Sequence, residues 1–209
     1  MTKNKGYLVL TSVIILLPML AGLLLWNQLP ATLVTHFGPS NEPDGFMSKV
    51  MVVFMMPLVL LGLHWVCIMA GKYRAYDAAP VLGTLMLWII PAVSLLSGVV
   101  IYGYALNNRL DVGRMGAIFV GAIFVICGNY MPKITRNYMV GIKIPTTLAD
   151  EDNWNRTHRF AAPVWVAGGL AILLCGLAGA TYGIALIGIL VAMVALPVAF
   201  SLLYARKKA

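Results

Sequence analysis

FAAPVWVAGGLAILLCGLAGATYGIALIGILVAMVALPVAFSLLYA, residues 160–205, runs for 46 positions without an Asp, Glu, Lys, Arg or His. As one helix it would reach about 69 Å, twice the ~30 Å hydrocarbon core of a bilayer. The stretch must therefore double back, and Gly179 and Gly183 are the residues suited to the turn. It reads as two membrane spans, 162–181 and 184–204.

The same logic extends towards the N-terminus. Charge-free gaps of 18 residues between Arg114 and Lys133, 31 between Asp77 and Arg109, and 22 between Lys49 and Lys72 give spans at 114–131, 82–104 and 50–70. A sixth lies at 7–27. Its apolar run is longer than the h-region of a signal peptide and no small-x-small site follows Trp26, so it is expected to remain as a membrane helix. The composition agrees: 61% of residues are hydrophobic, 11% are charged, and the mean hydropathy is +0.88. A soluble domain carries about a quarter charged residues. The expected fold is an all-α integral membrane protein with six transmembrane helices, divided into an N-terminal two-helix region (1–80) and a four-helix region (81–209).

Basic residues set the expected orientation. With both termini in the cytoplasm, twelve of fifteen Lys and Arg residues lie inside and only Lys49, Arg109 and Arg114 outside, the asymmetry of the positive-inside rule. Tyr7, Tyr73, Tyr130, Trp165 and Tyr204 then fall at one interface, and Trp26, Tyr104 and Tyr182 at the other. The net charge of +8 is explained by anionic lipid headgroups, not by nucleic acid, for which no compact basic domain exists. The expected setting is the cytoplasmic membrane of a prokaryote, with membrane lipids as the first partners.

One long polar stretch stands out: NYMPKITRNYMVGIKIPTTLADEDNWNRTHRF, residues 129–160. It holds five of the fifteen basic residues and three of the seven acids. Pro132 should end the fourth span, Asn137 and Gly141 suggest turns, and Pro145 drives Ile144 out of helical space. Thr147 reads as the N-cap of a short interfacial helix before the fifth span, with Asp150, Glu151 and Asp152 in its first turn. Trp154 and His158 share a face at i, i+4. Such varied chemistry exceeds what orienting a helix requires.

Elsewhere the signals are thinner. The loop 29–49 carries turn residues at Gly38-Pro39-Ser40-Asn41 and Pro43-Asp44-Gly45. His36, Glu42 and Asp44 there match no cation-binding spacing, and a solvated turn explains them. Pro18, Pro57, Pro91 and Pro197 lie inside spans, where neighbouring helices satisfy the freed carbonyls. Small residues in the last two spans, among them Gly168, Gly169, Gly176, Gly179 and Gly183, suggest a tight pair of helices. His64 is the one Asp, Glu, Lys, Arg or His deep in a span, a candidate by default whose commoner role is a hydrogen bond to another helix. Cys67, Cys127 and Cys175 fall in three different spans and read as packing residues. No HExxH, GxSxG or P-loop occurs, so neither an enzyme nor a bound cofactor or metal is expected.

The polar segment resembles the signature of the SdpI family of bacterial membrane proteins. The residues concerned are Asn129, Met131-Pro132-Lys133, Arg136-Asn137-Tyr138, Gly141 to Leu148, and Trp154 with Thr157-His158-Arg159. Lys143, Ile144 and Thr146 stand where that pattern has Arg, Thr and Trp. Pro30, His36-Phe37-Gly38, Asp44-Gly45 and Ser48-Lys49 are similar to the N-terminal domain of unknown function found in the family. The resemblance implies a six-helix protein of toxin immunity, which meets a secreted antimicrobial peptide and, as a signalling receptor, recruits a small cytoplasmic repressor. Under that reading Lys133, Arg136, Lys143, Arg156 and Arg159 would hold an acidic partner, and Asn129, Pro132, Asn137, Gly141, Pro145, Thr147, Trp154 and His158 complete the candidate site, with His36, Asp44, Lys49 and His64 as lesser candidates. A transporter of a small or lipid-like solute using His64, or a membrane enzyme using the polar segment, remain the alternatives.

Overall fold

The computed structural model describes residues 2–38, 41–72, 80–107, 110–138, 140–179 and 183–208. Pro39, Ser40, Tyr73, Arg74, Arg109 and Tyr182, used in the sequence reading, lie outside these, as does the turn at 180–182. Six helices are long and apolar enough to cross a membrane, and the protein is a multi-pass membrane protein. In order they are α1 (Thr2–Leu24), α2 (Met56–Lys72, after a π-helical turn at Met51–Met55), α3 (Pro80–Asn107), α4 (Val112–Tyr130), α6 (Glu151–Leu177) and α7 (Gly183–Lys208), with a short α5 (Pro145–Ala149) before the fifth span.

The chain forms two compact units. The first contains α1, α2 and α3 from Gly83 onward. Between α1 and α2 the turn-rich loop is more regular than its sequence suggested. β1 (Thr32–Phe37) and β2 (Pro43–Ser48) form an antiparallel hairpin. β-branched Thr32, Val34 and Thr35 suit a pleated strand, and Asn41 takes the left-handed conformation (φ 62°) that the hairpin tip requires. Leu33 anchors β1 in a core of Leu29, Val52, Val53, Ile101 and Tyr102.

Polar side chains tie α1 to its neighbours. The Ser94 hydroxyl donates to the Ile15 carbonyl at 2.8 Å and the Tyr102 hydroxyl to the Pro18 carbonyl at 3.0 Å, beside the gap that Pro18 leaves in the helical ladder. His64 Nε2 lies 2.9 Å from Thr11 Oγ1, a helix-to-helix hydrogen bond.

The second unit contains α4 from Gly113 onward. Its small residues serve two interfaces rather than one. Gly168 packs on Met193 and Ile189 of α7, but Gly169 and Gly176 face α4. There Gly121 and Gly169 bring two backbones together, since a Cβ on either would lie 2.6–2.7 Å from a backbone nitrogen of the opposite helix. Trp165 adds a hydrogen bond to the Met193 carbonyl at 2.9 Å. α6 ends where Gly179 turns left-handed (φ 71°), a common helix stop, and Arg114 caps it by donating to the Leu177 carbonyl at 3.0 Å.

Candidate functional site

The polar segment starts where Pro132, inside a single 3-10 turn at Met131–Lys133, ends α4. Ile134 follows in extended conformation and is buried. Asn137 then organises a tight turn: its amide donates to the Thr135 and Val140 carbonyls (2.8 and 3.0 Å), and its oxygen accepts the Val140 N–H at 2.8 Å. Ile144 is extended before Pro145, which opens α5. Thr147 is not the N-cap expected from the sequence. Its hydroxyl donates to the Ile142 carbonyl at 2.7 Å and accepts the Ile144 N–H at 3.1 Å, cinching the turn ahead of α5. Asp150 is the cap of the next helix, accepting the Asp152 N–H at 3.0 Å. That helix, α6, runs from Glu151 through Pro163 without a break, so Trp154 and His158 ride on the extension of the fifth span itself.

Those two side chains are the centre of the segment. Trp154 and His158 are fully buried at 0% and 1% exposure and stacked, with ring centroids 4.1 Å apart. Trp154 Nε1 donates to the Ile134 carbonyl at 2.7 Å. His158 lies between a carbonyl and an N–H: Nδ1 is 2.8 Å from the Trp154 carbonyl, and Nε2 is 3.0 Å from the Ile142 N–H. Since a carbonyl only accepts, the proton is on Nδ1 and Nε2 is the acceptor, which fixes a neutral imidazole. Both nitrogens are thereby occupied. Gly141 closes the lid over both rings, with φ at +119° and its α-carbon so near that a Cβ would lie 2.5 Å from His158 Nε2.

A second layer joins the segment to α7. Asn153 Nδ2 donates to the Ser201 carbonyl at 3.0 Å, while its Oδ1 accepts from Ser201 Oγ (2.7 Å) and Thr157 Oγ1 (3.0 Å). Ser201 has spent its proton on Asn153, so Thr146 Oγ1 donates to Ser201 Oγ at 2.7 Å. Thr146 is thus used productively where the family pattern has Trp. Charged groups complete the seam. Arg156 pairs with Asp152 at 3.0 Å and sits over the Tyr204 ring, whose hydroxyl also reaches Asp152. Lys208 pairs with Asp150 at 2.7 Å, and its hydrogen bond holds the Asp150 carboxyl below its ordinary range.

The candidates therefore fall into three groups. Asn137, Gly141, Pro145, Thr147, Trp154 and His158 build the segment. Asn129, Pro132, Lys133, Arg136, Lys143 and Arg159 remain exposed on it; among these Lys133 lies over the Tyr130 ring, 5.0 Å from its centroid, and Arg136 donates to the Leu148 carbonyl at 3.2 Å. His36, Asp44, Lys49 and His64 belong to the other unit. Lys49 there is a capping residue: its ammonium donates to the Trp26 and Leu29 carbonyls at 2.9 and 3.0 Å. His36 pairs with Asp44 at 2.5 Å.

Sequence reasoning missed Ser201, Tyr204 and Lys208. The available signal was faint: Ser201 and Tyr204 are polar positions three apart at the end of an apolar span. Because Asn153 serves three hydroxyl or carbonyl groups, Asn153→Leu is expected to cost about 2–4 kcal/mol, against about 1 kcal/mol for Ser201→Ala. Denaturation of the purified variants in detergent measures both, and equal losses would show that Asn153 is not the hub.

Residues 133–205 match the model of the SdpI/YfhL protein family, and residues 13–61 match a domain of unknown function, DUF1648. The chain is 27% identical over 176 residues to the Immunity protein SdpI of Bacillus subtilis (strain 168), covering 82% of this chain and 80% of that protein. No solved structure matches it. With the two regions in order along six membrane-length helices, and with the polar segment built from the residues that carry the resemblance, the chain is similar to SdpI-family proteins in both its N-terminal and its C-terminal regions.

Proposed function

We propose that this protein confers immunity on a bacterial cell, guarding its cytoplasmic membrane against a secreted antimicrobial peptide. The observation that carries the reading is the similarity to an immunity protein across both matched regions. The polar segment supports a non-enzymatic role, because the nitrogens of Trp154 and His158 are committed to backbone groups. A histidine in that state holds a loop; it does not move a substrate proton. The basic-residue asymmetry supports cytoplasmic termini, with the polar segment inside and the β1–β2 hairpin outside.

Deleting the gene is expected to make the host die in spent medium from its own wild-type culture, while growth in fresh medium stays normal. Plasmid-borne protein should restore survival. Equal survival of both strains in spent medium would overturn the reading.

A second role, recruitment of an acidic cytoplasmic repressor, is supported by the exposure of Lys133, Arg136, Lys143 and Arg159 on one segment. Arg156 is already paired with Asp152 and contributes less. Changing the four exposed residues to Gln should release a regulator encoded beside the gene from the membrane fraction, with immunity unchanged. Retention of the regulator would rule this role out.

A further inference from the structure

A two-stranded sheet has two outer edges, and in this hairpin the β1 edge faces a cleft. The register pairs Thr32 with Ser48, Leu33 with Met47 and Val34 with Phe46. Just outside it, the Lys49 N–H donates to the Ala31 carbonyl at 2.8 Å. Residues 31 and 49 are therefore a hydrogen-bonded pair. Antiparallel alternation makes Leu33 and Met47 the next one, so Thr32 and Val34 turn their N–H and C=O groups away from β2. Among the described residues no hydrogen bond reaches those outward groups.

They border a cleft of about 480 Å³ whose facing wall is the last turn of α3, Tyr104 to Asn107. Its walls are fixed in place. Leu33 is buried in the core of the unit, and Phe37 of β1 holds Tyr104 edge-to-face at 5.0 Å. The bulge between Val34 and His36 ends the regular edge, so the available stretch matches about three extended residues, roughly 10 Å.

The chemistry of the cleft selects its occupant. Unpaired strand groups recognise another strand, with main-chain hydrogen bonds giving the affinity. The opposite wall carries the C-terminal carbonyls of α3, the negative end of its dipole. The residues that line the cleft carry no charge of their own, and the Lys49 ammonium is consumed by the Trp26 and Leu29 carbonyls, so the α3 carbonyls set the sign of the cleft.

We infer that the free edge of β1 takes up an extended, cationic peptide segment as a third strand, and that a secreted antimicrobial peptide is engaged there. The second half of this rests on the immunity reading.

Thr32→Pro tests it. The substitution removes one outward N–H at the first position of an edge strand, where proline is tolerated, and leaves the β1–β2 bonds alone. Thr32→Val keeps the N–H and serves as control. The probe is a fluorescein-labelled Lys-Val-Lys-Val-Lys-Val-Lys peptide, titrated by anisotropy onto full-length protein in zwitterionic nanodiscs, with empty nanodiscs subtracted. Saturable binding to wild type and Thr32→Val, weakened about tenfold or more in Thr32→Pro, is the expected result. No binding to wild type, or equal binding to Thr32→Pro, would overturn the strand-edge site. The same variants are then placed in the deletion strain in spent medium. Protection by wild type and Thr32→Val but not Thr32→Pro locates the toxin at this edge. Full protection by Thr32→Pro removes the toxin from the edge while leaving immunity standing. No protection by wild type defeats the immunity reading alone, because the nanodisc result still decides the edge.

Discussion

Gly141→Ala is expected to lift the polar segment off α6. Two costs combine. The backbone at φ +119° is one that side-chain-bearing residues rarely adopt, and the new Cβ would lie 2.5 Å from His158 Nε2 and 2.9 Å from the Trp154 ring. Neither ring has room to retreat, since both are buried and stacked on each other. The chain around residue 141 must move instead, giving up the Ile142 to His158 hydrogen bond. Strain of about 1–3 kcal/mol, the lost bond and exposed aromatic surface together give a loss of about 3–5 kcal/mol. Denaturation in detergent measures the loss, and wetting of Trp154 should shift tryptophan emission to the red. His158→Ala removes the nearest obstacle, so the double variant should lose less than the sum of the two single ones. Strict additivity would mean that contact with His158 is not what makes Gly141 necessary.

Gly121→Leu is expected to separate α4 from α6. The atoms in the way are backbone: a Cβ at Gly121 meets the Leu173 nitrogen at 2.6 Å and the Gly169 carbonyl oxygen at 2.8 Å. A flexible side chain can rotate aside, but a helix backbone cannot. Overpacking typically costs about 1–3 kcal/mol, and here it also removes the close approach that holds helices together in lipid, where the hydrophobic effect gives no help. Gly116 lies on the same helix with nothing within 4 Å of its Cβ position. Gly116→Leu should therefore fold normally, while Gly121→Leu yields little monodisperse protein on size-exclusion chromatography and melts early. Similar behaviour of the two variants would show that the Gly121 approach is not needed.

The helices were readable because lipid leaves a coarse record: where charges stop, a span begins. That record fails where a helix continues into water. The fifth span was expected from residue 162, but α6 starts at Glu151, because its first turns are charged and a hydropathy rule cannot see them. Thr147 looked like a cap beside three acids, yet Asp150 holds that position and Thr147 bonds backwards instead. The hairpin was missed for a related reason. β1 is only six residues long and its partner β2 is rich in turn residues, so the pair stands out little until Leu33 finds its core. Within the polar segment, Trp154 and His158 were identifiable as neighbours from helical spacing alone. Their partners were not: Ile134 and Ile142 enter through main-chain groups, which no side-chain pattern encodes.

The seam to α7 also bears on the order of assembly. Asn153 lies 48 residues before Ser201, and Asp150 lies 58 before Lys208. During synthesis, α6 is made well ahead of these partners. Until then the Asn153 amide lacks its α7 acceptor, and Asp150 lacks its counter-charge. The second unit is thus completed only once α7 has been made, and a nascent chain halted before Ser201 holds its signature segment unlatched.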